Sequence, residues 1–452
     1  MNTDSSVNPQ TRIVSGTIWM FAMRWAMQLI GFVSTIILAR LIAPQDFGLI
    51  AMAMIVVALL DTLSSTSVDL AIIRERDPDK KLYNAGWTLQ LFQNTLVALA
   101  MVALAPLAVD YFDEPRIRHI LYLLAVSQLV AGSKNIGILD FRKELDFDRE
   151  FRFSVYVKLS GFLATVGLAF IFRDYRAILF GTILKSASEC FLSYAMNAYR
   201  PRLAIAGMGR IWSFSQWLLV SAVIGVINGK ASQFVIGGSL GATVLGLYYV
   251  ALDFGTLFIN EIVMPLRRAL FPNLSLLLYD PVSFNRHALA VIGVVAIACM
   301  PIGVGLHLVA GEMVVLLLGS QWLEAAPLLR WTAFLGIVFG FGLALNLILM
   351  VQKKVHLTVL RRALECAILL PALYWVSHRG GDAIDIAAAS LMVSLSLGPL
   401  TVWVVAWVLR IPVVHIFLLL WRPRVAGLAL FAATSLLLSG LVLNPFVSLL
   451  VN

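Results

Sequence analysis

The 452-residue chain is 60% hydrophobic and only 13% charged, with a mean hydropathy of +0.89 and a net charge of +9. Soluble chains carry about 25% charged residues, so the composition excludes a soluble enzyme or nucleic-acid-binding domain and points to a polytopic α-helical membrane protein. An outer-membrane barrel is excluded as well, because it would alternate in segments of about ten residues.

The polar residues before Ile13 hold no basic stretch and no small-residue cleavage site, so no cleaved signal peptide is expected. A bilayer core is crossed by about 20 residues at 1.5 Å rise. Runs of that kind are predicted near 14–41, 47–68, 84–109, 119–139, 151–172 and 177–199. After a polar link, Arg200 to Arg210, six more follow near 212–238, 243–263, 287–309, 327–351, 355–377 and 384–409. An amphipathic piece, Ile411 to Trp421, precedes a thirteenth span near 425–443. The expected organisation is therefore 1–199 with spans 1–6, 200–409 with spans 7–12, and 410–452 with one or two more. Cys190, Cys299 and Cys366 fall inside apolar runs and are expected as core residues, with no disulfide, metal or cofactor framework.

Charge fixes the predicted orientation. With the N-terminus inside, the cytoplasmic links and the N-terminal segment hold 22 Lys and Arg, and the opposite side holds six. This is the positive-inside pattern, and it explains the basic balance without nucleic acid. Six bases remain inside spans: Arg24, Lys134, Lys158, Lys185, Lys230 and Arg330. Each costs about 2.5–3.5 kcal/mol at mid-bilayer on an insertion scale, so they are expected to face a hydrated interior or an anionic partner.

Polar residues recur at helical spacing. Arg24, Gln28, Gly31 and Thr35 form one stripe on the first span, and Asp61, Ser64, Ser65 and Asp69 another on the second. The fifth span offers Ser154, Lys158, Gly161 and Thr165, the sixth Lys185 and Glu189 at ion-pair spacing, and the seventh Ser221, Gly225, Asn228 and Ser232. Such stripes also glue helices together, which is the simpler reading of the Ser, Thr and Gly positions. Mid-span Arg24 is read as functional. Lys134 fits either a functional role or snorkelling to the interface, and Arg330 beside Trp331 fits an interfacial anchor. Asp61 and Asp253 are candidate ion-coupling sites, with Asp253 equally suited to partner Lys230.

A shift of 198 residues aligns the first hairpin with the seventh and eighth spans. It gives ten identities over 48 positions, among them Trp19 with Trp217, Gly31 with Gly229 and Gly48-Leu49 with Gly246-Leu247. A parallel repeat of this kind builds transporters whose halves move about a midplane site.

The first hairpin itself reads Leu38-Ala39-Arg40-Leu41-Ile42-Ala43-Pro44-Gln45-Asp46-Phe47-Gly48-Leu49. This wording resembles the first hairpin of Wzx-type polysaccharide transporters of the multidrug/oligosaccharidyl-lipid/polysaccharide (MOP) exporter superfamily. The resemblance implies a MATE-like fold of two six-helix lobes facing each other across a cavity. Relatives often have fourteen spans, so the C-terminal end departs from the pattern. The resemblance also implies a substrate, an oligosaccharide on undecaprenyl diphosphate, with membrane lipid and other polysaccharide-assembly proteins as partners. Arg24, Gln28, Lys158, Lys185 and Lys230 are then the candidate substrate-binding residues, since a diphosphate cannot cross hydrocarbon unpaired.

Two alternatives stand beside this one. A membrane polymerase or ligase would display catalytic groups on a large outer link, but the longest here, about 310–326, has no His and only Glu312 and Glu324 as charges. A small-molecule antiporter of hydrophobic cations would prefer acidic walls, whereas the mid-span bases outnumber Asp61, Glu189, Asp253 and Glu365. The orientation is checked by placing a cysteine in the Asp77–Lys81 link. Labelling is expected only after the inner membrane is permeabilised, and ready labelling in intact spheroplasts would reverse the topology.

Overall fold

The structure is a computed structural model and describes residues 9–64, 68, 72, 79–144, 146–204, 216–416 and 418. Arg74 and Arg76, Ser65 and Asp69, Arg210 and the predicted span near 425–443 lie outside these residues. Among the described residues every regular element is helical. The chain divides into two compact units, Met1–Val223 and Ile224–Asn452.

The first unit begins with α1 (Pro9–Leu41) and α2 (Pro44–Ser64). Only Ile42 and Ala43 separate them, because Pro44 suits the first helical position and Asp46 in the first turn meets the positive helix end. Then come α3 (Lys80–Phe112), α4 (Arg116–Gly132), a 3-10 turn (Ile136–Ile138) and α5 (Leu139–Lys143), followed by α6 (Phe147–Phe172) and α7 (Tyr175–Met196). α6 and α7 form a hairpin whose second helix is capped by the Asp174 carboxylate, which accepts from the Arg176 amide at 2.8 Å. α1 packs mainly on α6, and α4 packs on both α3 and α7. Large apolar side chains such as Leu99, Phe170, Ile171 and Phe191 stand exposed, as they do on a surface solvated by lipid.

Beyond α7 the chain is strapped to α3. The Tyr199 hydroxyl donates to Asn84 Oδ1 at 2.7 Å, the Arg202 amide donates to the same oxygen at 2.8 Å, and the Ala204 amide donates to Thr88 Oγ1 at 2.9 Å. Burial, and then the Asp140 carboxylate, pushes the Tyr199 hydroxyl above its ordinary pKa, so it stays a donor.

The second unit is entered through α8 (Gln216–Leu276), which leaves helical geometry at Gly241, with φ 82° and ψ −179°. That conformation is open to glycine and strained for other residues. Lys230 Nζ lies 6.0 Å from the centroid of the Tyr249 ring. An unbroken helix would separate these residues by roughly 28 Å, so Gly241 folds the second arm back along the first. Gly241 stands 198 residues after Ala43, at the break of the first hairpin. The remaining helices are α9 (Pro281–Leu308), α10 (Ala310–Leu317), α11 (Ala325–Val351), α12 (Val355–His378) and α13 (Ala383–Leu409). Their core gathers Phe284, Ile292, Cys299, Ile348 and Val405, while Cys190 and Cys366 are only half-buried.

Each of the twelve predicted spans corresponds to a helix or one arm of a helix. Among the described residues eight helices are long and apolar enough to cross a membrane, or up to nine with the bent pair Arg116–Gly132 and Ile136–Lys143. α7 and α12 have the length but are not among the eight. They carry Arg176, Lys185 and Glu189, and Arg361, Arg362 and Glu365, respectively. The fourth span, expected to run straight over 119–139, is bent by 65°.

α8 and α11 meet through small residues. Thr332 Oγ1 donates to the Ala251 carbonyl at 2.7 Å, and a Cβ on Gly336 would strike the Gly255 carbonyl oxygen. Close backbone approach of this kind drives helix association where water cannot. Gly336→Leu is expected to cost about 1–3 kcal/mol by overpacking and to lower the unfolding temperature in detergent. Gly311→Ala, where no atom lies within 4 Å of the new Cβ, should change stability by less than about 0.5 kcal/mol.

Candidate functional site

The site is organised by the bend after α4. A broken helix leaves carbonyls without partners, and here Gln90 Nε2 on α3 donates to the carbonyls of Gly132 at 3.0 Å and Lys134 at 3.3 Å. Asn135 is wholly buried. Its carboxamide oxygen accepts from the Gly137 amide at 2.9 Å, its Nδ2 donates to the Tyr199 carbonyl at 2.6 Å, and its own amide donates to Ser193 Oγ at 2.8 Å. Ser127 and Ser186 add a buried hydroxyl pair at 2.9 Å between α4 and α7. The bend is thereby held by neutral hydrogen bonds, and Lys134 projects from it toward α7.

α6 and α7 supply two more amines. Lys185 passes its stem over Gly161, where a Cβ would come within 2.9 Å of Lys185 Cγ. Lys158 reaches Gly31 on α1, where a Cβ would stand 3.4 Å from its Nζ. Both lysines line one cavity of about 290 Å³ in the first unit. The charged lining is Lys134, Arg142, Lys158 and Lys185 against Glu150 and Glu189, a surplus of two positive charges. Each acid is already taken: Lys134 Nζ lies 3.1 Å from Glu189, and Arg142 Nε pairs with Glu150. Lys158 and Lys185 have neither an acid nor a hydrogen-bond partner among the described residues. Gln90 and Ser154 add neutral polar groups, while Ile136, Phe141 and Val157 supply apolar wall. The arrangement can bind an anion with two phosphate-sized charges, and it offers no nucleophile paired with a base.

Of the residues singled out from sequence, Lys158 and Lys185 meet in this cavity. Met27 of α1 lines it, whereas Arg24 and Gln28 do not. They are half-buried, on the α1 face that presents Gly31 to Lys158. The expected Lys185–Glu189 pair is replaced: Lys185 leans onto Gly161, and Glu189, one turn on, reaches Lys134 across the helices. Asp61 accepts from Gln128 Nε2 at 2.7 Å and does not line the cavity. Lys230 belongs to the second unit, where it donates to Gln233 Oε1 at 3.0 Å. Asp253 is near enough to feel its charge but makes no ion pair with it. That unit also holds a half-buried basic group that was not among the candidates: Arg362 on α12 points at Gly225 on α8, while its neighbour Arg361 binds Glu365 at 3.0 Å. Arg142 and Glu150 were not among the sequence candidates, and Lys134 was left open between a functional role and snorkelling. Arg142 and Glu150 looked like link residues, and only the bend brings them to the cavity.

Residues 37–327 match the family described as "Polysaccharide biosynthesis protein". The lipopolysaccharide biosynthesis protein WzxC of Escherichia coli (strain K12) is 24% identical over 388 residues, covering 85% of this chain and 79% of that protein. The succinoglycan biosynthesis transport protein ExoT of Rhizobium meliloti (strain 1021) is 21% identical over 301 residues, covering 66% and 61%. Among solved structures, the lipid II flippase MurJ in an inward closed conformation superposes with a TM-score of 0.73 at 12% identity, over 93% of each chain. A multidrug resistance MATE family transporter of the MOP superfamily, facing inward, gives 0.62 at 12% identity over 84% of this chain and 95% of that one. The all-α polytopic fold is thus the MurJ- and MATE-like one.

Asn135→Ala tests what holds the bend. It leaves the Gly137 amide and the Tyr199 carbonyl unpaired in a buried place, at about 1–3 kcal/mol each. A lowered unfolding temperature in detergent is expected; Lys134→Gln, which touches none of these bonds, should leave that temperature nearly unchanged.

Proposed function

The chain belongs to the polysaccharide biosynthesis protein family, and from that premise and the amine pair in its first unit we propose that it carries lipid-linked oligosaccharide repeat units across the bacterial inner membrane by alternating access. The observation that carries this reading is the pair Lys158 and Lys185, two bases that have no counter-ion among the described residues, in a helix-lined cavity. Undecaprenyl diphosphate linked to a sugar is a diphosphate diester with two negative charges. Its charge equals the surplus of the lining, and ammonium groups can replace its hydration with charge-assisted hydrogen bonds. The relatives' names, lipopolysaccharide biosynthesis and succinoglycan transport, agree with such a cargo.

In this reading Arg24 and Gln28 extend the anion path along α1, and Lys230 serves it from the second unit. Asp61 and Asp253 are the candidates for ion coupling. The role is transport, so no residue is assigned to catalysis. In this reading the N-terminus is cytoplasmic, the orientation that the charge distribution favours. A cavity with surplus positive charge repels the hydrophobic cations of a drug exporter, which disfavours that alternative.

The test is surface polysaccharide in a strain lacking its own flippase, complemented with each variant and checked for membrane protein level. Lys158→Gln with Lys185→Gln should reduce export at least tenfold, since each lost charge-assisted bond is worth about 1.5–3 kcal/mol. Arg24→Ala should abolish export, and Arg24→Lys should keep part of it if charge rather than fork geometry matters. Full export by normally inserted Lys158→Gln/Lys185→Gln protein would exclude the cavity as the substrate site.

A further inference from the structure

The two carboxylates of the cavity are held differently. Glu150 sits in the first turn of α6, where the helix end favours negative charge, and it is 13% exposed beside Arg142. Glu189 lies in the second half of α7 with no such support. It holds Lys134 through one oxygen at 3.1 Å, and the two side chains are 24% and 33% exposed. Lys134 does not need this bond to keep its place. Gln90, Asn135 and Ser193 fix the bend around it with neutral hydrogen bonds. The ion pair is therefore separable from the fold, open to the cavity, and one turn from an amine, Lys185, that has no partner among the described residues.

We infer that Glu189 is the resident counter-ion of the cavity, a carboxylate that an incoming phosphate group displaces from Lys134 and that reclaims Lys134 when the phosphate leaves. This inference rests on the reading of the cavity as a diphosphate site. Without ligand, Glu189 neutralises Lys134 and leaves Lys158 and Lys185 to attract the anion. With ligand, Lys134 turns its hydrogen bonds to a phosphate oxygen. Because the phosphate has to displace Glu189 before Lys134 can bind it, the exchange offsets part of the binding energy, and so limits affinity to a level from which release is fast. No bond is made or broken; the step is an exchange of anions on one ammonium group.

The experiment measures binding of farnesyl diphosphate to the purified full chain in detergent, at one fixed salt concentration. Glu189→Gln should bind about tenfold tighter, because Lys134 then meets the phosphate without first giving up a carboxylate partner. It should also export less glycan at an equal membrane level. Lys134→Gln should bind about tenfold more weakly, because it leaves Glu189 to repel the ligand. The double variant Lys134→Gln/Glu189→Gln should return to within about threefold of the natural protein. A merely structural ion pair would instead make every one of these variants less stable and none tighter. If Glu189→Gln does not fold, Lys134→Gln and the double variant decide, and a double variant that binds no better than Lys134→Gln overturns the inference. Lys158→Gln/Lys185→Gln is the reference. If it loses binding while Glu189→Gln binds no tighter, the role of Glu189 alone is wrong. If it binds like the natural protein, the cavity reading falls and this inference with it.

Discussion

An ammonium group inside a membrane protein has to be answered by water, by a carboxylate or by a ligand, because hydrocarbon offers nothing to solvate it. The first unit places three such groups in one cavity, and among the described residues only Lys134 is answered by a carboxylate. The rest of the local architecture serves that imbalance. Gly31 and Gly161 leave room for the lysine side chains. The neutral network around Asn135 takes over the work of bracing the helices. Buried neutral bonds stabilise without spending the positive charge, which is why the charge is still there to act.

The helices that look least like membrane spans carry their charge within their length. α7 and α12 match the eight strongly apolar helices in length, yet their charged residues keep them out of that set. Their lost apolarity is offset by packing: α7 lies along α6 and α4, and α12 lies along α13. The second unit uses a related device. A base on α12, Arg362, is laid against a glycine of the preceding helix arm, Gly225, much as Lys158 is laid against Gly31.

Much of this was legible in the sequence. Apolar runs located the eight described helices that are long and apolar enough to cross a membrane, since about 20 apolar residues have few other uses, and the Pro44 break was placed to within a residue. Lys158 and Lys185 stood out because a charge in an apolar run is costly and so carries information. What escaped were features made by tertiary geometry. Nothing in the local pattern of Ser133-Lys134-Asn135 announces a bend of 65°, because its partners Gln90, Ser193 and Tyr199 are about 40 to 65 residues away. Without the bend, Arg142 and Glu150 read as ordinary link charges. The choice of Glu189 for Lys134 over Lys185 is likewise set across helices, where spacing along one helix has no say.

The strap that ties Tyr199, Arg202 and Ala204 to Asn84 and Thr88 bears on how the protein is made. Asn84 and Thr88 emerge from the ribosome more than a hundred residues before the groups that bind them. Until then their polar atoms must be served by water or by transient partners. The first unit therefore cannot finish its own bonding when α7 is inserted; it finishes a few residues later, as the link is synthesised. Every group of the strap precedes Gln216, the first residue of α8, so these bonds need no helix of the second unit.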